Sequence, residues 1–178
     1  MRNETAKEIR RIIKEKFGYN SRKVSVRTRS GEINITVKDL SIPVKPIEEE
    51  AKKFQSIRRD EITQEILLGG NTYVNVGYDH NLIQEAKDAR LEEAKSIIEE
   101  HKDLDSNRGM DVKEHGKYKL VYYPNPSQGM PSVDTIEEYE GEHEGKSYTG
   151  INNLKSHVAF NEYDIATALV FFDIEHGQ

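Results

Sequence analysis

The sequence predicts an α+β fold: an antiparallel sheet built from hairpins, helices packed on one of its faces, and a C-terminal β-containing extension. Three observations carry this. Residues 24–37 alternate apolar and polar side chains on either side of Ser30-Gly31, the pattern of a hairpin with a two-residue loop. Residues 4–17, 46–57 and 81–102 repeat apolar residues at helical spacing. The resulting order is helix, strand, strand, helix, strand, strand, helix. It joins strands directly and sets helices between pairs, which suits an antiparallel sheet covered on one side.

The first helix places Ala6, Ile9, Ile13 and Phe17 on one stripe, with Ile12 beside it. Asn3 or Thr5 can cap its start, and Gly18 stops it. Lys7, Arg10, Arg11 and Lys14 form the opposite, basic face, a common way for a helix to meet water. In the hairpin, Ser30-Gly31 as the loop sets Val24 opposite Val37, Val26 opposite Ile35 and Thr28 opposite Ile33. The other face then pairs Lys23 with Lys38, Ser25 with Thr36, Arg27 with Asn34 and Arg29 with Glu32. A slip of one residue would turn the apolar set outward, so the register is strongly specified.

Pro43 and Pro46 mark a connection, and Pro46 suits the first turn of a second helix carrying Ile47, Ala51 and Phe54. Over 61–78 two readings compete. Gly69-Gly70-Asn71 as a three-residue loop makes a second hairpin, the preferred reading; alternatively 60–67 ends a helix and only 72–78 is strand. A long helix is expected over 81–102, capped by Asp79 or Asn81, then a loop from Asp103 to Gly116. The boundary is therefore expected at 102/103, between a core module (1–102) and an acidic extension (103–178) packed on or beside it. In the extension, 117–123 reads as a strand and 127–150 as an irregular acidic loop. A short helix follows from Asn161 to about Ala168, then a buried strand from Leu169 to Ile174.

At 178 residues, 33% of them charged, the chain is long enough for a core without metal or disulfide support. The absence of cysteine excludes disulfides, thiolate metal sites and a cysteine nucleophile. No apolar run approaches the ~20 residues of a membrane span, and the first residues lack the apolar stretch of a secretory signal. The expectation is a cytoplasmic protein without membrane association. The net charge of −6 conceals an asymmetry: residues 1–60 hold 16 Lys and Arg against 9 Asp and Glu, and residues 61–178 hold 10 against 23. Such a split points to charge-selective contacts, or to halves that attract each other.

The hairpin's outer face collects Lys23, Arg27, Arg29 and Lys38, with Arg22 adjacent and Ser25, Asn34 and Thr36 among them. Cations mixed with hydrogen-bonding groups suit phosphate, and the face is the candidate surface for nucleic acid or a partner; otherwise it is simply hydrated. It lacks the aromatics that stack bases. The second candidate is the acidic run Asp134, Glu137, Glu138, Glu140, Glu142 and Glu144, which could mimic a phosphate backbone, gather a divalent cation, or be a solvated loop. The six histidines show no helical metal spacing, and no phosphate loop or nucleophile elbow is present. No catalytic residue, metal or cofactor is assigned.

The segments Glu4-Thr5-Ala6-Lys7-Glu8-Ile9-Arg10, Val24-Ser25-Val26-Arg27-Thr28, Ile33-Asn34-Ile35-Thr36-Val37 and Asn71-Thr72-Tyr73-Val74-Asn75-Val76 resemble, in that order, the large polyvalent protein-associated domain 29 type. The resemblance covers about residues 3–85. It implies a setting, the phages, plasmids and conjugative elements of bacteria, and brings no catalytic motif. The long acidic C-terminal extension departs from it. Setting and charge layout together lead to the expectation of a non-catalytic anti-defence factor, anti-CRISPR or anti-restriction. Its partner would be a bacterial defence nucleoprotein or nucleic acid (RNA or DNA), and the chain a monomer or weak homodimer. The alternatives are a metal-dependent nuclease using the acidic residues and a nucleic-acid-binding accessory protein of conjugation or plasmid maintenance.

Overall fold

A computed structural model describes residues 2–102, 109–124 and 130–177, of Arg2 the backbone only. The fold is α+β, with five helices and two sheets among the described residues. The chain divides into two compact units, 1–83 and 84–178.

In the first unit, helix α1 (Arg2–Phe17) ends at Gly18, whose φ of 75° is the left-handed stop that glycine adopts without strain. Strands β1 (Val24–Arg29) and β2 (Glu32–Val37) pair antiparallel in the register expected from alternation, from Val24 opposite Val37 to Arg29 opposite Glu32. Ser30 and Gly31 both have positive φ (42° and 95°), as a type I′ turn requires. Helix α2 (Val44–Lys52) then carries the chain to β3 (Tyr73–Tyr78), which lies parallel to β2. The expected second hairpin over 61–78 does not form. Ile62 and Leu68, which were to face its core, are 92% and 100% exposed. The buried Asn71 folds this connection on itself instead, accepting from Arg58 N (2.8 Å) and donating to Leu67 O (2.9 Å). The sheet, ordered β1-β2-β3, is therefore mixed. Its apolar face joins Ala6, Ile9 and Ile13 of α1 and Ile47 and Ala51 of α2 in one core with Val26, Ile33, Ile35 and Val74.

The segment expected as one helix over 81–102 is two, α3 (His80–Asp88) and α4 (Leu91–His101). Asp79 accepts the Asn81 N–H at the start of α3. Between them Arg90 bonds forward to Glu93 and across to Asp173. The unit boundary thus falls at 83/84, ahead of the 102/103 expected from the sequence, because α4 joins the second core through Ala94 and Ile97.

The second unit is an antiparallel sheet ordered β4-β5-β6-β7 (Met110–His115, Tyr118–Tyr123, Ser132–His143, Lys146–Val158). Three expectations are corrected here. Residues 110–115 are strand rather than loop. Within 127–150, β6 and β7 replace the irregular loop; 127–129 lie outside the described residues. The C-terminus is one helix, α5 (Glu162–His176), not a helix followed by a strand. Asn161 caps it as expected, accepting from Tyr163 and Asp164 N–H, while Asp164 accepts back from Asn161 N, a reciprocal capping box. Ile165, Ala166, Ala168, Leu169 and Phe172 of α5 pack on Leu120, Tyr122 and Val133.

Candidate functional site

The three-stranded sheet aligns its outer side chains in rows. Arg29, Glu32 and Tyr73 form one, Arg27, Asn34 and Asn75 the next, and Ser25, Thr36 and Gly77 a third. The amide of Asn75 donates to Asn34 Oδ1 (3.1 Å), tying β3 to β2 on this side. No helix of the first unit's core lies on this face, because α1 and α2 are spent on the apolar one. Arg27 is exposed on the outer side, as the alternation demands. Arg22, Lys23, Arg29 and Lys38 are exposed as well.

These five cations are not equivalent. Lys23 lies 3.1 Å from Asp39 Oδ2. The Ser41 hydroxyl and N–H, with Lys23, hold the Asp39 carboxyl below its usual range. Among the described residues no carboxylate pairs with Arg22, Arg27, Arg29 or Lys38. Asn20 fixes where Arg22 and Lys23 enter the sheet: its side-chain oxygen accepts both of their backbone N–H groups, at 2.9 and 3.3 Å.

The structure adds two cations that sequence reasoning left on a hydrated helix face. Arg10 donates to Val26 O (2.6 Å) across the free edge of β1. Arg10 and Lys14, one turn apart on α1, line with Arg27 a groove of 380 Å3 that also includes Tyr19, Ser21 and Ser25. Their four-residue spacing was readable; which strand edge that side of the helix would meet was not.

The acidic candidates separate. Asp134, Glu137, Glu138, Glu140 and Glu142 stand on β6, and Glu144 (φ 52°) with Gly145 (φ 74°) makes the turn to β7. Alternation along a strand sends Asp134, Glu138, Glu140 and Glu142 to one face and Glu137 to the other. Lys117 pairs with Glu137 and pulls its carboxyl below the usual range. Lys119 lies 2.8 Å from Glu138 and 3.2 Å from Asp111, and these two carboxylates push its pKa up to about 12. Asp134 accepts from Ser156 (2.6 Å) and Asn153 (2.9 Å). Glu140 accepts from Thr149 at 3.2 Å, and among the described residues neither Glu140 nor Glu142 has a cation partner.

No group of three or more His, Asp or Glu that could hold a metal ion occurs among the described residues. No helix among them is long and apolar enough to cross a membrane. Comparison with family models, curated proteins and solved structures yields no match for this chain.

Proposed function

We propose that the chain is a non-catalytic binding protein that engages a nucleic acid–protein complex. In the mobile-element setting implied by its sequence resemblance, it acts as an anti-defence factor against a CRISPR or restriction assembly in the bacterial cytoplasm. The observation that carries this reading is the segregation of unpaired charge. Arg27 and Arg29 on the outer sheet face of the first unit, with Arg22 and Lys38 beside its strands, stand exposed and, among the described residues, without carboxylate partners, near hydroxyl and amide groups that suit phosphate. Glu140 and Glu142, without cation partners among the described residues, stand on one face of β6 in the second unit beside Glu138, which Lys119 engages, and offer spaced negative charge suited to a basic protein groove. Residues 1–83 hold 16 Lys and Arg against 12 Asp and Glu; residues 84–178 hold 10 against 20. The nuclease alternative would need the carboxylates to converge on a metal, whereas Glu137 points to the opposite face from Glu138, Glu140 and Glu142.

The test is capture. The purified chain, immobilised, is presented with guide-loaded and guide-free CRISPR effectors and with restriction enzymes. The expected result is retention of one such assembly and loss of its cleavage activity. Undiminished cleavage together with no retention would overturn the proposal. Binding of free DNA without inhibition would instead favour an accessory role in conjugation or plasmid maintenance.

A further inference from the structure

We infer that the groove between α1 and the free edge of β1 is a subsite for single-stranded nucleic acid, seating a backbone phosphate against Arg10, Lys14 and Arg27 and a base against Tyr19. This rests on the proposed nucleic-acid contact and specifies which form of nucleic acid is taken, and where. Three observations meet here. The groove's three charged groups are all cations, and no carboxylate lines it. Its remaining polar groups include Ser21 and Ser25, hydroxyls able to donate to phosphate oxygens. Its aromatic is Tyr19, half-buried and stacked with Phe17 at a centroid distance of 6.3 Å, so the ring is held in place before any base arrives.

The volume of 380 Å3 lies at the small end of the ~300–1,000 Å3 typical of ligand sites, room for about one nucleotide unit. What favours a strand over a free nucleotide is continuity. Arg27 lines the groove and also stands on the sheet's outer face, in the same strand as Arg29. A backbone leaving the groove over the β1 edge meets further cations within two residues. What favours a single strand over a duplex is Tyr19. A stacked duplex presents phosphates but keeps its base faces occupied, whereas an unpaired base has a free π-face. The hairpin face alone lacks aromatics; the helix end supplies one that alternation within the strands does not reveal.

Anisotropy titration of the full chain tests this, using labelled RNA and DNA oligonucleotides, single-stranded and duplex, over a salt series, with a nucleoside monophosphate as competitor. Single strands are expected to bind more tightly than the duplex of the same sequence, and the monophosphate to compete weakly. Tyr19→Leu should weaken single-strand binding roughly tenfold and leave duplex binding unchanged. Lys14→Glu should lower the slope of log K against log[salt] by about 0.7 or more. Lys14 is exposed, so this variant is expected to fold, as circular dichroism can check. Lys38→Ala, outside the groove, should weaken single strand and duplex alike. Amide shifts on adding oligonucleotide should centre on Tyr19, Ser21 and Ser25. Equal affinity for duplex and single strand, or single-strand binding unaltered by Tyr19→Leu and Lys14→Glu, would overturn the inference. If Lys38→Ala still weakened binding in that case, the cationic face would stand without the groove; failure of the broader proposal is read separately, from capture of the nucleoprotein.

Discussion

The β1–β2 hairpin and the β6–β7 ribbon are both antiparallel, and both turn through two residues with positive φ, yet their sequences behave differently. In β1–β2 one face packs on two helices and the other meets water, so apolar and polar residues alternate, with the exposed Thr28 at the hairpin end the exception. In β6–β7 the outer half, beyond Glu137, has wet residues on both sides, and alternation vanishes into Glu138-Tyr139-Glu140-Gly141-Glu142. What holds that half is cross-strand pairing. Tyr139 lies over Gly150 and Tyr148 over Gly141, with the two rings edge to face at 6.3 Å. Charge follows the same division. Among the described residues the first sheet leaves Arg27 and Arg29 without carboxylate partners on its outer face, while the second engages several of its acids with lysines.

The sharpest break of this comparison is at the cores, which share no residue. Ile33 and Leu169 are both fully buried. Ile33→Ala and Leu169→Ala should each cost about 2–5 kcal/mol. Amide hydrogen exchange should show Ile33→Ala unprotecting β1–β3 before α5, and Leu169→Ala the reverse; loss of both sets in step would make the two cores one cooperative unit. A smaller effect is expected at Asp173, which accepts from Arg90 and lies 2.5 Å from Lys113 Nζ. The carboxylate is partly exposed, so Asp173→Asn should cost about 1 kcal/mol by urea denaturation. Removing the ring in Tyr139→Ala should cost about 0.2–1 kcal/mol, and should loosen the ribbon beyond Glu137 without moving the Lys117–Glu137 pair.

The smallest effect is in pH. Burial lowers the pKa of His176, which stacks on Tyr118 at 4.1 Å and lies 5.2 Å from Phe172; the nearby charges of Glu175, His115, Lys155 and Glu137 act in both directions. The folded state favours the neutral imidazole. As pH falls through the ordinary value of 6.5 the unfolded chain therefore takes up the proton first, and stability falls on acidification. A thermal melt series from pH 8 to about pH 5.5 should show this slope, flattened in His176→Phe.

One-sided burial also explains what else was legible. The register of β1–β2 and the outward placement of Arg27 follow from alternation alone. Helix α5 did not yield to the same reading, because Leu169, Val170 and Phe172 are buried around much of its circumference and leave no amphipathic period; a continuous apolar run fits a buried strand as well as a buried helix. The parallel placement of β3 was hidden because Gly69-Gly70 looks like hairpin chemistry, whereas Asn71 closes a local excursion. Asp134 to Glu142 read as loop because composition outweighed the turn signal of Glu144-Gly145. Arg10 and Lys14 could not be assigned to a groove from α1 alone, since the groove's second wall is the β1 edge.

The most direct measurement is the salt dependence of oligonucleotide binding by two triple variants set against the unaltered chain. Arg27→Ala/Arg29→Ala/Lys38→Ala should weaken binding and reduce the log K against log[salt] slope by about 2 on single strands, while Glu138→Gln/Glu140→Gln/Glu142→Gln should leave the affinity undiminished. An unchanged slope in the first variant would contradict the account, because the exposed cations of the first sheet would then touch no phosphate.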